Sequence, residues 1–318
     1  MAIDLKQALI DEIIMLKKQR NAIILAHNYE LPEIQDIADV LGDSLALART
    51  AAKTDADVIA FCGVHFMAET AAILNPNKKV LLPDLDAGCS LADSITAEQL
   101  HAWKKEHPGA IVVAYVNTTA EVKALSDYCC TSANAVDVVN AIPAEKEVLF
   151  LPDMFLGAYV KRMTGRENMQ IWMGECHVHA GIAPTDVESI MQEHPDAELL
   201  IHPECGCSTS SLYMLAENAL PDDRTHILST GGMLKYVEET PNREFIVATE
   251  TGIIHQMQKN NPNKTFHAAN RTAICPFMKM ITLEKLRDAL KYDRYVIEVP
   301  EELREKALKP IERMIAIG

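Results

Sequence analysis

The chain has 318 residues, 48% hydrophobic and 24% charged, which is enough apolar material for substantial cores and too much for a disordered chain. Its 30 Lys and Arg against 45 Asp and Glu give a formal charge of −15, so a phosphate backbone is an unfavourable partner and nucleic-acid binding is excluded as the main function. Eight cysteines without an export signal point to a reducing, cytoplasmic setting where thiols serve metals or catalysis more often than disulfides, and no uncharged apolar run approaches the roughly 20 residues that cross a bilayer.

In chain order, residues 3–20 mix Asp4, Lys6, Asp11, Glu12, Lys17 and Lys18 with apolar positions and read as an amphipathic helix. A pattern then begins that recurs three times. An apolar strand ends in a polar cluster: AIILAHNY (22–29), AIVVAYVNT (110–118), AELLIHPE (197–204). A small-residue turn opens a helix: GDSLALART (42–50), TSANAVDVV (131–139), STGGMLKYV (229–237). A second strand and helix follow: DVIAFCG (57–63), EVLFLPD (147–153), EFIVATETG (244–252). A last strand runs into a cysteine: KKVLLPDLDAGC (78–89), MQIWMGEC (169–176), KTFHAANRTAIC (264–275). His27, Tyr115 and His202 are 88 and 87 residues apart, Ser44 and Ser132 88, and Cys89 and Cys176 87. The third copy is longer, with 97 residues from Ser132 to Ser229 and 99 from Cys176 to Cys275, which places an insertion of about ten residues between Cys205 and Arg224.

Continuous Val/Ile/Leu runs alternating with helices are the pattern of parallel sheets covered on both faces. The expected fold class is α/β: three similar three-layer αβα modules with parallel sheets in a pseudo-three-fold arrangement around a central site. The expected modules are residues 1–90, 91–178 and 179–280. The tail 281–318 reads as two helices around a YVIEV strand that packs back on the first module.

Cys89, Cys176 and Cys275 fall in equivalent strand-end loops beside Ala87 and Gly88, Gly174, and Pro276. Loop thiolates, with proline as a neighbour, suit an iron–sulfur cluster. Taken singly they would also fit a buried core, and with His177 or His179 as fourth ligand they would suit zinc. A [4Fe-4S] cluster on three thiolates would leave one iron open as a Lewis acid. Cys62 reads as core with His65 structural, neighbouring Cys129 and Cys130 point apart, and Cys205 and Cys207 are candidates for a second metal or redox site. His27/Tyr29, Tyr115/Asn117 and His202/Glu204 are i, i+2 pairs that put both side chains of an extended segment on one face. Ser44, Ser132 and Thr230 each stand where a helix is expected to begin, either as N-caps or beside free N–H groups that bind anions. His179 fits a capping, packing or catalytic role. Asp43, Asp93 and Glu250 read as structural acids, with Glu250 on the ATETG turn also placed to face the centre.

The peptides AHNY (26–29), GDSL (42–45), AGCSLAD (87–93), YVNT (115–118), CCTSANA (129–135), GECHVH (174–179), HPE (202–204), STGGM (229–233), ATETG (248–252) and ICPFM (274–278) together resemble the quinolinate synthase family, iron–sulfur enzymes of NAD biosynthesis. The resemblance implies a triangle of three α/β domains with a [4Fe-4S] cluster on Cys89, Cys176 and Cys275 at its centre. It also implies condensation of iminoaspartate (iminosuccinate) with dihydroxyacetone phosphate to quinolinate, phosphate and two waters, with L-aspartate oxidase or aspartate dehydrogenase as the source of iminoaspartate. Within that chemistry Glu204 is the expected general base, Tyr29 and His179 are further catalytic candidates, and His27, Ser44, Tyr115, Asn117, Ser132, His202, Glu204 and Thr230 are expected to bind substrate. Some members carry a run of cysteines before the third ligand, where this chain has Thr272 and Ala273. An aconitase-type iron–sulfur hydro-lyase shares the open-iron logic, and a non-catalytic redox or zinc protein is a third reading that requires a fourth protein ligand.

Overall fold

A computed structural model describes residues 2–216 and 222–318. The opening helix Ala2–Gln19 carries Lys17 and Lys18 in its last turn, where cations complement the helix dipole, and buries Ile13. It leads into three four-stranded sheets, all parallel. The first holds β1 (Ala22–His27), β2 (Val40–Gly42), β3 (Val58–Cys62) and β4 (Lys79–Leu81) in the order β2-β1-β3-β4. The second holds β5 (Ile111–Tyr115), β6 (Tyr128–Cys130), β7 (Val148–Leu151) and β8 (Met169–Ile171) in the order β6-β5-β7-β8. The third holds β9 (Glu198–Ile201), β10 (Thr225–Ile227), β11 (Glu244–Ala248) and β12 (Thr265–Ala268) in the order β10-β9-β11-β12.

Each sheet is flanked by helices, so its central strands are largely buried; β3 (VIAFC) and β7 (VLFL) are buried from end to end. Each sheet has one strand more than the sequence suggested. The extra members, β2, β6 and β10, are three residues long, too short for any periodicity to show. A helix joins each first strand to its short neighbour: Pro32–Ile37, Ala120–Ala124 and, longest, Gly206–Ala216. The expected insertion in the third copy contains that longer helix, while residues 217–221 lie outside the described residues.

The strand order fixes where ligands can sit. The chain leaves each first strand for one neighbour and returns to pair on its other side, so the carboxyl ends of β1, β5 and β9 lie at switch points, where open α/β sheets bind ligands. The registers Ala26↔Cys62, Ala114↔Leu151 and Ile201↔Ala248 put His27, Tyr115 and His202 at the same step past the sheet.

The tail straps the modules. Helix Leu283–Tyr292 packs on Ala2–Gln19. Tyr295 and Leu82 exchange backbone hydrogen bonds of 2.9 and 3.0 Å, and Ile297 N–H donates to Val80 O at 2.9 Å, so the YVIEV segment covers the β4 edge antiparallel to it. The last helix, Glu301–Ala316, reaches beyond the first module to helix Ala120–Ala124 and β6. Asn134 Nδ2 donates to Met314 O and Ile317 O at 2.9 and 2.8 Å, holding that end down.

Candidate active site

The carboxyl ends of the three sheets face one cavity. His27, Tyr29, Ser44 and Cys89 reach it from the first sheet's loops, Tyr115, Asn117, Ser132, Cys176 and His179 from the second sheet and the segment after it, and His202, Glu204, Thr230 and Cys275 from the third.

Each cysteine opens one helical turn. The carbonyls of Cys89, Cys176 and Cys275 accept the N–H four residues on, at 3.1, 2.8 and 3.3 Å. Backbone N–H groups of Ala92 and Leu91 point at the Cys89 sulfur, and those of Met278 and Phe277 at that of Cys275. Burial and the neighbouring thiols nevertheless push Cys89 far above the ordinary thiol range and, more weakly, Cys275 up to about 11. Gly174 precedes Cys176 where a side chain cannot fit, since a Cβ there would lie 2.6 Å from Pro152 O.

Two strand-end histidines share one local geometry. His27 Nδ1 accepts the Tyr29 N–H at 3.2 Å and His202 Nδ1 accepts the Glu204 N–H at 3.4 Å, so each ring carries its proton on Nε2. The Nε2–H of His202 meets Ser132 Oγ at 3.2 Å. Burial holds both rings neutral, lowering His27 to about 3 and His202 to about 4.

Glu204 is the hub of the polar network. Tyr115 OH donates to its Oε1, and His179 Nδ1 lies 3.3 Å from its Oε2. Burial alone would raise this carboxyl, but the influence of His202 and the hydrogen bonds from His179 and Tyr115 outweigh it and hold it at about 2. Burial would likewise lower His179, but Cys176, whose Sγ is 3.3 Å from Nδ1, and Glu204 raise it well above the usual value. His179 is therefore the cation that compensates the buried Glu204 carboxylate. At its other end His179 Nε2 meets Thr249 Oγ1 at 2.9 Å and Tyr29 OH at 3.3 Å, and the last two are 2.5 Å apart. A continuous path of hydrogen-bonding groups thus runs from Tyr29 through His179 to Glu204 and Tyr115. Burial and Glu204 push both phenols well above their ordinary range, so they stay protonated donors.

Ser44 and Thr230 open helices as expected, but the caps are their neighbours, and Ser132 opens none. Asp43 caps helix Ser44–Lys53 by accepting the Ala46 N–H at 2.9 Å, and Ser229 caps Thr230–Glu239 by accepting that of Gly232 at 3.1 Å. Ser44 and Thr230 are the first helical residues and cap nothing. Ser132 lies in a turn, because Asn134 Oδ1 accepts the Thr131 N–H at 2.8 Å and delays the helix to Ala135–Asn140. The Thr230 hydroxyl accepts from Asn28 Nδ2 at 3.1 Å, across two modules. Cys205 and Cys207 are joined by a disulfide and fully buried, which removes them as thiol ligands of a second metal site.

Sequence reasoning missed Thr249 and Asp153; Asp43 and Glu250, read as structural acids, have structural contacts and also line the cavity. Glu250 is fully buried, pairs with Lys279 at 2.9 Å and accepts the Cys275 N–H at 3.1 Å, so it braces the third cysteine loop. Asp153 caps helix Met154–Thr164, and burial together with Glu204 pushes its carboxyl well up. The repeat contains the missing signal: β7 and β11 end at Leu151 and Ala248, and two residues on stand Asp153 and Glu250.

Comparison with known proteins agrees with this geometry. The family described as NadA, Quinolinate synthetase A protein, matches residues 11–316. The chain is similar to the quinolinate synthase of Mycobacterium sp. (strain KMS), 58% identical over 307 residues, covering 96% of this chain and 91% of that one. It is 56% identical to a quinolinate synthase of Thermus thermophilus over 312 residues, 98% of each chain. It is also 56% identical to that of Mycobacterium tuberculosis (strain ATCC 25177 / H37Ra) over 307 residues, 96% of this chain and 88% of the relative. With a family match across nearly its whole length and relatives this close, the chain belongs to the quinolinate synthase family.

Proposed function

We propose that this protein condenses iminoaspartate with dihydroxyacetone phosphate to quinolinate, phosphate and two waters, in the cytoplasm, with iminoaspartate supplied by an L-aspartate oxidase or aspartate dehydrogenase. The observation that carries the reading is the single cavity in which three repeat-equivalent cysteines face two neutral histidines, two phenols and the buried Glu204 carboxylate. The formulas balance without added or removed electrons, so the site has to bind, polarise and move protons.

The donor set suits a [4Fe-4S] cluster. The Cys89 and Cys275 thiols, both pushed up by desolvation, need a cation to become thiolates. One tetrahedral zinc would draw its sulfurs to within about 3.8 Å of one another. Among the described residues, the groups of donor atoms converging within 4.8 Å are Cys176, His179 and Glu204, and His194, Glu244 and His267, and the three thiols do not form such a group. Cys89, Cys176 and Cys275 would hold the cluster, which when bound supplies an iron free of protein ligands as a Lewis acid for a departing hydroxyl.

The remaining work falls to the chain's own residues. The chain is acidic overall, so anion binding is local: the Nε2–H groups of His27 and His202 and the hydroxyls of Ser44, Ser132 and Thr230 donate to carboxylates and phosphate. Asn117 Oδ1 is buried without a partner and would accept an N–H or O–H of the ligand. Glu204, ionised, would take a proton beside a carbonyl once substrate oxygens draw the Tyr115 hydroxyl away and restore its basicity. His179 and Tyr29 would return protons during the carbonyl shift, imine closure and dehydration. Anaerobic protein reconstituted with iron and sulfide should form quinolinate and phosphate in equal amounts without an electron acceptor. A product that appears only with an oxidant present, or hydration of simple acids in place of condensation, would overturn the reading.

A further inference from the structure

A second cluster of ligating side chains lies away from the cavity, at the amino-terminal edge of the third sheet. His194 closes helix Pro184–Glu193, Glu244 opens β11, and His267 lies in β12. Glu244 Oε1 is 2.9 Å from both His194 Nδ1 and His267 Nε2, and the donor atoms of all three residues lie within 4.8 Å of one another. The imidazoles stack with centroids 3.6 Å apart. All three side chains are partly exposed, at 28%, 40% and 22%, which leaves them reachable by an ion and free to fan apart around it.

The second module shows what this corner does without a metal. His107 closes helix Ala97–Glu106 with nearly the same backbone as His194, φ −124° and ψ 69° against φ −128° and ψ 69°. His107 Nδ1 lies 3.1 Å from Glu147 Oε1, and Gln170 Nε2 donates to that same oxygen at 3.1 Å. The registers Leu149↔Gln170 and Ile246↔His267 place Gln170 and His267 at equivalent positions of their edge strands. The His–Glu contact is thus shared scaffolding that ties a helix end to a strand. Gln170 completes it with an amide donor and no metal-binding nitrogen. His267 completes it with an imidazole, which can give a lone pair to a metal as well as an N–H to the carboxylate.

We propose that His194, Glu244 and His267 form a divalent transition-metal site of the zinc class, with water filling the remaining coordination. Two imidazole nitrogens and one carboxylate oxygen are the donors such ions take, and an open fourth position is normal for three protein ligands. A bound ion takes the lone pairs of the ring nitrogens that otherwise direct N–H groups at Glu244, with each ring proton moving to its other nitrogen. It would pin the end of helix Pro184–Glu193 to β11 and β12, just before the chain enters β9 and runs on to His202 and Glu204.

The test uses the full chain, purified anaerobically with its iron in place, treated with a mild chelator and titrated with Zn2+ alone. Wild type should bind one equivalent at micromolar Zn2+ that His267→Gln lacks. That variant copies the second module's own set, so it should keep its fold, its iron and its melting temperature without zinc, while losing the rise in melting temperature on adding zinc. Gln170→His should gain one equivalent. Zinc bound at the cavity cysteines would be common to all three proteins and cancel in these differences, and anomalous diffraction at the zinc edge should place the ion between His194, Glu244 and His267. Unchanged stoichiometry in either variant, or an anomalous peak only beside Cys176, would overturn the proposal.

Discussion

At the carboxyl end of the first strand, one backbone position carries histidine in the first and third modules and tyrosine in the second. His27 and His202 each turn Nδ1 onto the N–H two residues on and are held neutral by burial. Tyr115 sends its hydroxyl to Glu204, from the module opposite. The scaffold is three-fold and the chemistry is not. Three identical chains would present three identical groups to the centre, whereas one chain with three copies can hold two fixed N–H donors and a phenol that restrains a carboxylate at equivalent positions.

The largest effect that sharpens this contrast is expected at the carboxylate. Glu204→Gln keeps the shape and can still accept from Tyr115 but cannot take up a proton, so turnover should fall about 10²- to 10⁴-fold with iron content unchanged. Near-normal turnover would reduce the Tyr115–Glu204–His179 cluster to a structural network.

The histidine pair can be broken by acid. His27 and His202, at about 3 and about 4 against an ordinary 6.5, are neutral when folded but would protonate when unfolded. Below pH 6.5 the unfolded chain therefore binds more protons, and stability falls as pH falls; at pH 5 each ring costs about 2 kcal/mol. Glu204, held at about 2, adds in the same sense below its ordinary 4.5. His179, raised, acts oppositely: its contribution is complete below 6.5 and is lost only as pH rises through its higher folded value. Denaturant melts at pH 7 and pH 5 should show the acid loss in wild type and about half of it in His202→Gln. Equal losses would mean that His202 is not held neutral.

A smaller effect separates ligand-facing hydroxyls from caps. Ser44→Ala and Ser132→Ala should each weaken quinolinate binding by about 1 kcal/mol, with less effect on melting. Ser229→Ala should do the reverse, removing about 1 kcal/mol of stability through its lost cap. Calorimetric titration and thermal melts distinguish the two, and a stability loss with normal binding at Ser44 or Ser132 would make those hydroxyls structural.

The fold was legible because buried parallel strands of five or six residues carry continuous aliphatic runs, and because 87- and 88-residue spacings put equivalent residues in register. The three-residue strands β2, β6 and β10 have no such signature, and they define the switch points. Residues directly after first strands and in the cysteine loops stood out because their types are rare at strand ends. Thr249 and Asp153 did not, since a threonine or aspartate beside a helix is ordinary capping chemistry, and Asp153 is in fact a cap. Ser44 and Thr230 begin helices as read, but the capping alternative fails by one residue, because Asp43 and Ser229 before them are at least as good caps. At Ser132 the Asn134 side chain held a turn that no helix pattern reveals. The last helix was expected on the first module; its contact with the second depends on Asn134 and tertiary packing, which composition does not encode.

The central claim is that three equivalent loops make one metal centre, and the most direct measurement is iron and acid-labile sulfide per chain in single serine variants of all six free cysteines, purified anaerobically. The account predicts that Cys89→Ser, Cys176→Ser and Cys275→Ser each lose the cluster to a similar degree, while the variants of Cys62, Cys129 and Cys130, which are fully buried in the hydrophobic core, retain it. Full iron content in any of the first three, or its loss in Cys129→Ser or Cys130→Ser with the fold intact, would contradict it.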